Sequence, residues 1–250
     1  KTNLDKPWNW SSIPKNINIT WDIVEQNPKL PWNYDLLAQN KNITWDILNR
    51  NESKFSNTYW IAKNPNITWE IVRNHQNRNW NWLSLSGNDN ITWDIIKNNL
   101  DKPWGWFELS KNPNITFDII LQNLHMSWDI ELGFSQNSNL TWDIIVNNPD
   151  IIIDWYWVSA NPNITWDIVK QNIERPWNWR GLSENLNITW DIVKQNPNLP
   201  WNMLGLSENP NITLEIITKH PKYFSKLNWR RFSYNNMKQG KDKYIKLKII

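Results

Sequence analysis

The phrase Ile-Thr-Trp-Asp-Ile, apolar and polar by turns, returns along the whole chain. Its Thr stands at Thr20, Thr44, Thr68, Thr92, Thr116, Thr141, Thr165, Thr189 and Thr213. Successive anchors are 24 residues apart, except the step from Thr116 to Thr141, which is 25. A fixed period of this length is the mark of a tandem repeat, and a repeat governs the whole reading of a fold. The unit reads Asn-x-Asn-Ile-Thr-Trp-Asp-Ile-Val-x-x-Asn, then a short Pro-containing link, then Trp-Asn-Trp-x-x-Leu-Ser-x. The first 19 residues hold the second half of one more unit.

Two short helices per unit are predicted. In the first, Thr20 is an N-cap whose hydroxyl oxygen can take a free backbone N–H. Asp22 follows in the first turn, where the helix dipole favours negative charge. Ile19 and Val24 form a hydrophobic staple across the start. The second helix repeats the grammar, with Asn33 as cap and Trp32 and Leu37 as staple. Trp80, Asn81 and Leu85 match it, as do Trp177, Asn178 and Leu182. Helix ends fall on Asn27, Asn51, Asn99, Asn123, Asn148, Asn172 and Asn196, or on His75 and His220. A second stop is Asn in every copy, from Asn16 and Asn40 through Asn209 to Asn235. Asn and His tolerate the left-handed conformation that often ends a helix, and Pro65, Pro113, Pro162 and Pro210 then block continuation. The alternation in Ile-Thr-Trp-Asp-Ile also fits a β-solenoid. It breaks at Ile23-Val24, and helix formers such as Lys170-Gln171 follow. The expected fold is therefore an all-α solenoid of about nine and a half units, a single body over residues 1–236, with a basic tail over 237–250.

One unit cannot cover its own apolar side, so neighbours must share the core. Polar positions two, five and six after each Thr make one solvated stripe. It should carry i,i+3 ion pairs: Glu70 with Arg73, Asp94 with Lys97, Asp167 with Lys170, and Asp191 with Lys194. Each is worth only ~0.2–0.5 kcal/mol. Some positions depart from the unit. Phe117 and Leu214 replace the first Trp, Ser56 and Ser225 replace the linker Trp, and an extra residue follows Trp128.

Composition sharpens this picture. There are 22 Trp, 14 Pro, 6 Gly and 42 Asn among 250 residues, and disordered chains are poor in aromatics. Cys is absent, which excludes disulfides, thiolate metal sites and a Cys nucleophile. No apolar run approaches the ~18 residues of a membrane span, and no signal-peptide pattern opens the chain. Lys1 falls inside a repeat, so the chain is expected to continue upstream. Charge is uneven. Residues 219–250 hold ten Lys or Arg and one acidic residue, Asp242. That stretch includes Arg230 and Arg231 and could bind nucleic acid, an acidic protein or the acidic body of another copy.

Candidate chemistry is thin. The recurring carboxylates, from Asp22 to Glu215, are equivalent helix-start residues, whereas acid–base catalysis needs environments that differ. His75 and His220 fill helix-stop slots, and His125 lies in a link. No catalytic, cofactor-binding or metal-binding residue is expected. Each anchor matches the Asn-x-Thr glycosylation signal, as at Asn66-Ile67-Thr68, but capping already explains the Thr. The periodic Trp residues read as core. Five aromatics outside the period are better interface candidates: Tyr59, Trp60, Phe107, Tyr156 and Trp157. They stand at or near variable slots of the second helices, where large rings make interface anchors.

Units such as Asn161-Pro162-Asn163-Ile164-Thr165-Trp166-Asp167-Ile168-Val169, followed by Pro176-Trp177-Asn178-Trp179, resemble the tryptophan-rich tandem repeats encoded by giant DNA viruses of amoebae. The resemblance covers about residues 7–235 and brings no functional residues with it. It implies a setting in the virion or the cytoplasm of an infected host. The expected function is a non-enzymatic scaffold that binds a host or virion protein. A filament subunit and a repeat protein reading nucleic acid are the alternatives, and the nearly neutral ridge weighs against the latter.

Overall fold

The computed structural model describes residues 13–232, which fold into short helices with no strand among them. The second stop Asn235 and the basic tail over 237–250 lie outside the described residues. The helices form two compact units, one ending at Trp128 and the other beginning at Asp129.

Most of the described repeats supply the two expected helices. In the first unit the leading helices are α1 (Trp21–Gln26), α3 (Trp45–Arg50), α5 (Trp69–Asn74), α7 (Trp93–Lys97) and α9 (Phe117–Gln122). Between them come the second helices α2 (Tyr34–Leu37), α4 (Thr58–Ala62), α6 (Trp82–Ser86) and α8 (Trp106–Lys111). In the second unit α10 (Trp142–Asn147), α12 (Trp166–Gln171), α14 (Trp190–Gln195) and α16 (Leu214–Lys219) lead. They alternate with α11 (Trp155–Ala160), α13 (Trp179–Glu184) and α15 (Met203–Glu208). None is longer than two turns, too short to persist alone in water, and none could cross a membrane.

Caps fix the starts. Thr68, Thr116, Thr141, Thr165, Thr189 and Thr213 accept the N–H three residues on, whereas Thr20, Thr44 and Thr92 hold the same extended conformation without that bond. Asn33, Asn81, Asn178 and Asn202 cap second helices in the same way. The stops do not work as the sequence suggests. No described residue has positive φ. At the first stop, the Asn side chain itself donates to the last turn: Asn27 Nδ2 reaches the Ile23 carbonyl at 2.9 Å, and Asn172 Nδ2 reaches that of Ile168 at 2.9 Å. His75 places Nδ1 2.8 Å from the Ile71 carbonyl. The side chain satisfies a free carbonyl, so a left-handed turn is not needed.

The second stop is an inter-repeat lock. Asn185 is 1% exposed. Its Nδ2 donates to the carbonyls of Ser159, Asn161 and Ile164, one repeat back, at 2.9, 2.9 and 3.1 Å. Its Oδ1 accepts from Asn187 N at 2.8 Å. Asn40, Asn64, Asn88, Asn112 and Asn209 make the same backward reach. The Asn two residues later forms a parallel ladder. Asn187 Nδ2 donates to Pro162 and Ile164 carbonyls at 2.6 and 3.0 Å, and Asn66, Asn114 and Asn211 repeat the pattern. This second ladder uses the Asn of the Asn-x-Thr signal. Both of its amide hydrogens are taken by the preceding repeat, so a glycan on that nitrogen would break the ladder.

A buried Ser adds a further tie. Ser159 Oγ accepts Asn178 N, and Ser183 Oγ accepts Asn202 N, each at 2.9 Å. In the first unit Ser86 Oγ accepts Gly105 N at 2.8 Å in the same way, whereas Ala38 and Ala62 in that slot offer no hydroxyl.

Aromatic rings close the edge of the stack. The linker indoles of Trp32, Trp80, Trp104, Trp128, Trp177 and Trp201 donate Nε1–H to the carbonyl five residues earlier. Each of the last five rings then sits against the first Trp of the preceding repeat, as Trp104 does on Trp69 with centroids 6.1 Å apart. Offset and edge contacts of this kind add stabilisation beyond buried area. The losses at Ser56 and Ser225 are made good one position earlier. Phe55 packs on Trp21 at 5.7 Å and Phe224 on Trp190 at 5.1 Å. The periodic Trp are not uniformly core, however. Linker Trp such as Trp80 and Trp104 are buried, while Trp45, Trp69, Trp93 and Trp166 keep one face half exposed. The extra residue after Trp128 is absorbed by a wide turn, in which Phe134 N donates to the Asp129 carbonyl and a 3-10 turn (Phe134–Gln136) replaces the second helix.

Candidate interaction surface

Once the ladders and rings are assigned, few side chains in a repeat remain free to vary. All nine recurring carboxylates are exposed on leading helices, in equivalent places. Of the four expected ion pairs there, Asp94–Lys97 and Asp167–Lys170 form, at 2.5 and 2.8 Å. Glu70–Arg73 and Asp191–Lys194 do not form among the described residues. An exposed pair gains too little to hold two long side chains together.

The second helices differ from repeat to repeat at their second, third and sixth positions. Within the first unit the second position is Asp35, Tyr59, Leu83 and Phe107, on helices that pack side by side. Asn57 Nδ2 reaches Asp35 Oδ2 at 3.3 Å, and Leu83 lies over Gly105 so closely that an added Cβ would meet it at 2.5 Å. Within the second unit the position is Tyr156, Arg180 and Leu204. Arg180 and Glu184 join α13 to α11: Tyr156 Oη donates to Glu184 Oε2 at 2.7 Å, and Arg180 Nε donates to Glu184 Oε1 at 2.9 Å. Burial, reinforced by the hydrogen bond to Glu184, pushes the Tyr156 hydroxyl up to about 12.

In each unit the aromatic candidates lie on the second helices, half buried rather than free. Tyr59 and Trp60 meet edge to face at 4.7 Å, and Lys63 Nζ lies 4.3 Å from the Tyr59 ring centroid. Tyr156 and Trp157 repeat the pairing at 4.8 Å, and Lys111 Nζ is 4.9 Å from the Phe107 ring. Rings held by neighbours and cations lose little freedom when a partner covers them. Arg230 and Arg231 are exposed beyond α16, and Arg231 is ion-paired with Glu208 of the preceding repeat. Two participants escaped the sequence reading. Leu83 is 50% exposed between Tyr59 and Phe107, and Arg180 bridges to Tyr156. The signal for both was present, since each stands in the same variable slot as a residue that was singled out.

Among the described residues no group of three or more His, Asp or Glu side chains converges to hold a metal ion. No family model, curated protein or solved structure matches the chain.

Proposed function

We propose that the chain is a non-enzymatic scaffold that binds another protein through the variable face of its second helices. The observation that carries this reading is a division of labour within each repeat. Asn, Ser, Leu and linker Trp positions are committed to the neighbouring repeat, while Tyr59, Leu83 and Phe107 in one unit, and Tyr156, Arg180 and Leu204 in the other, offer half-exposed surface that varies. Aromatic and Arg side chains on a rigid base are the usual anchors of protein interfaces. The resemblance noted above would, if it holds, make the partner a protein of a giant-virus virion or of its amoebal host's cytoplasm.

Capture from infected amoebal cells tests this. The wild-type chain is compared with Tyr59→Ser/Phe107→Ser/Tyr156→Ser and with a ridge control, Asp22→Asn/Asp167→Asn. A protein retained by wild type and control but lost from the triple variant supports the proposal. Equal recovery by all three refutes it.

A second reading rests on the exposed Lys222, Lys226, Arg230 and Arg231, which could contact phosphates. Gel shifts at two salt concentrations decide it, because phosphate contacts give salt-sensitive binding.

A further inference from the structure

Each unit carries a groove between consecutive repeats. In the first unit it has a volume of about 490 Å³ and is lined by Trp69, Arg73, Arg78, Trp80, Trp82 and Lys102, among others. In the second unit the same register makes a groove of about 380 Å³, with Trp166, Lys170, Ile173 and Leu199 on its wall. Trp166 and Lys170 correspond to Trp69 and Arg73, and Leu199 corresponds to Lys102. The repeat therefore builds the groove, and variable positions choose its chemistry. At the second junction Lys170, Ile173 and Leu199 stand where the first has Arg73, Gln76 and Lys102, and Arg175, the counterpart of Arg78, is outside the second groove's lining.

The charges at the first groove are not cancelled on its wall, which holds no carboxylate. Arg73 is exposed and makes no ion pair among the described residues. Lys102 pairs with Asp101 at 2.8 Å, outside the lining. Arg78 is held inward, with its side chain 10% exposed and its guanidinium 5.3 Å from the Trp45 ring. It meets Glu52 at 3.5 Å and the Phe55 carbonyl at 3.4 Å, but its Nε has no hydrogen-bond partner. A buried guanidinium donor without an acceptor is costly. Here it stands in the wall of a cationic groove. Trp69 and Trp82, half exposed and 6.4 Å apart, supply ring surface beside it. Gln76, Asn77, Asn79 and Asn99 add neutral polar groups.

We infer that this groove binds a small organic anion, a planar ring carrying a phosphate or carboxylate group. The oxyanion would meet Arg73, Arg78 and Lys102, where Arg offers a fork of donors matched to such oxygens. The ring would lie against Trp69 and Trp82, as bases do on aromatic platforms. The volume falls in the range of ordinary ligand sites. The inference stands apart from the protein-binding proposal, because none of Tyr59, Leu83, Phe107, Tyr156, Arg180 and Leu204 lines this groove.

Isothermal titration with adenosine monophosphate as probe tests it on the full chain. Submillimolar binding is expected, weakened at least tenfold by Arg73→Gln/Lys102→Gln and unchanged by Lys170→Gln in the second groove. Both changed residues of the double variant have exposed or half-exposed side chains, so the fold should survive, and an unaltered circular dichroism spectrum verifies that. Absence of binding at 5 mM probe overturns the inference. So does equal affinity in the double variant, or adenosine without its phosphate binding as well as the monophosphate.

Discussion

Asn185→Asp changes one atom at the centre of the inter-repeat lock. The side chain it replaces is 1% exposed and donates to three carbonyls of the preceding repeat. An ionised Asp keeps the acceptor that takes Asn187 N–H but turns its second oxygen onto those carbonyls with no hydrogen to offer. Each buried acceptor left without a donor costs about 1–3 kcal/mol, and an uncompensated buried charge costs about 3–5 kcal/mol. The two costs overlap, so we expect a loss of about 4–6 kcal/mol at neutral pH, read from urea unfolding followed by circular dichroism. The pH dependence provides an internal check. Desolvation and facing carbonyl oxygens hold the folded-state pKa of this Asp above its unfolded value of ~3.9. The penalty is then fully present above the folded pKa and shrinks as pH falls through it, because the protonated carboxyl regains one donor. The stability gap to wild type should therefore narrow between pH 8 and pH 4. A loss under about 1 kcal/mol, or a gap unchanged over that range, would refute the assignment of Asn185 as a lock.

Further outcomes follow from the same geometry. An added methyl at Gly205 would lie 2.6 Å from the Arg180 carbonyl and 2.7 Å from Ser183 Cβ, whereas at Gly87 the nearest atom is the flexible Glu108 carboxylate at 3.3 Å; Gly205→Ala should cost about 1–3 kcal/mol in unfolding free energy and Gly87→Ala should be neutral or stabilising. Ser159→Ala removes the acceptor for Asn178 N and should cost about 1–2 kcal/mol, seen as a lower urea midpoint. Tyr156 ionises near 12, above the ordinary value of 10. Its contribution is thus intact below pH 10 and lost as pH rises toward 12, and Tyr156→Phe should remove one late tyrosinate step from the absorbance titration at alkaline pH. Trp104→Leu, which loses the Nε1 bond to Asn99 and the rings of Trp69 and Trp82, should cost about 2–4 kcal/mol, again by urea unfolding.

Much of this molecule was readable before any coordinate. The 24-residue period, the Thr and Asn caps and the staple pairs are local grammar, and local grammar survives into the structure. The role of the stop Asn was not readable. One sequence cannot distinguish an Asn tolerated at a helix end from one whose amide reaches 24 and 26 residues back, because the pairing is set by how repeats stack. The same holds for Phe55 and Phe224. They look like ordinary neighbours of a missing Trp until the stacking shows them filling its place. The interface candidates were legible as variable slots, but their environment was not: Lys63 over Tyr59 could be guessed from i,i+4 spacing, whereas Tyr156 bound to Glu184 spans two helices.

The central claim is that paired Asn side-chain amides join successive repeats within each unit. Hydrogen–deuterium exchange of side-chain NH2 groups, resolved by two-dimensional NMR, tests it most directly. The amides of Asn64, Asn88, Asn112, Asn185 and Asn209 should persist long after those of surface residues such as Asn74 and Asn98 have exchanged. Loss of every Asn side-chain NH2 signal at the surface rate would contradict the account.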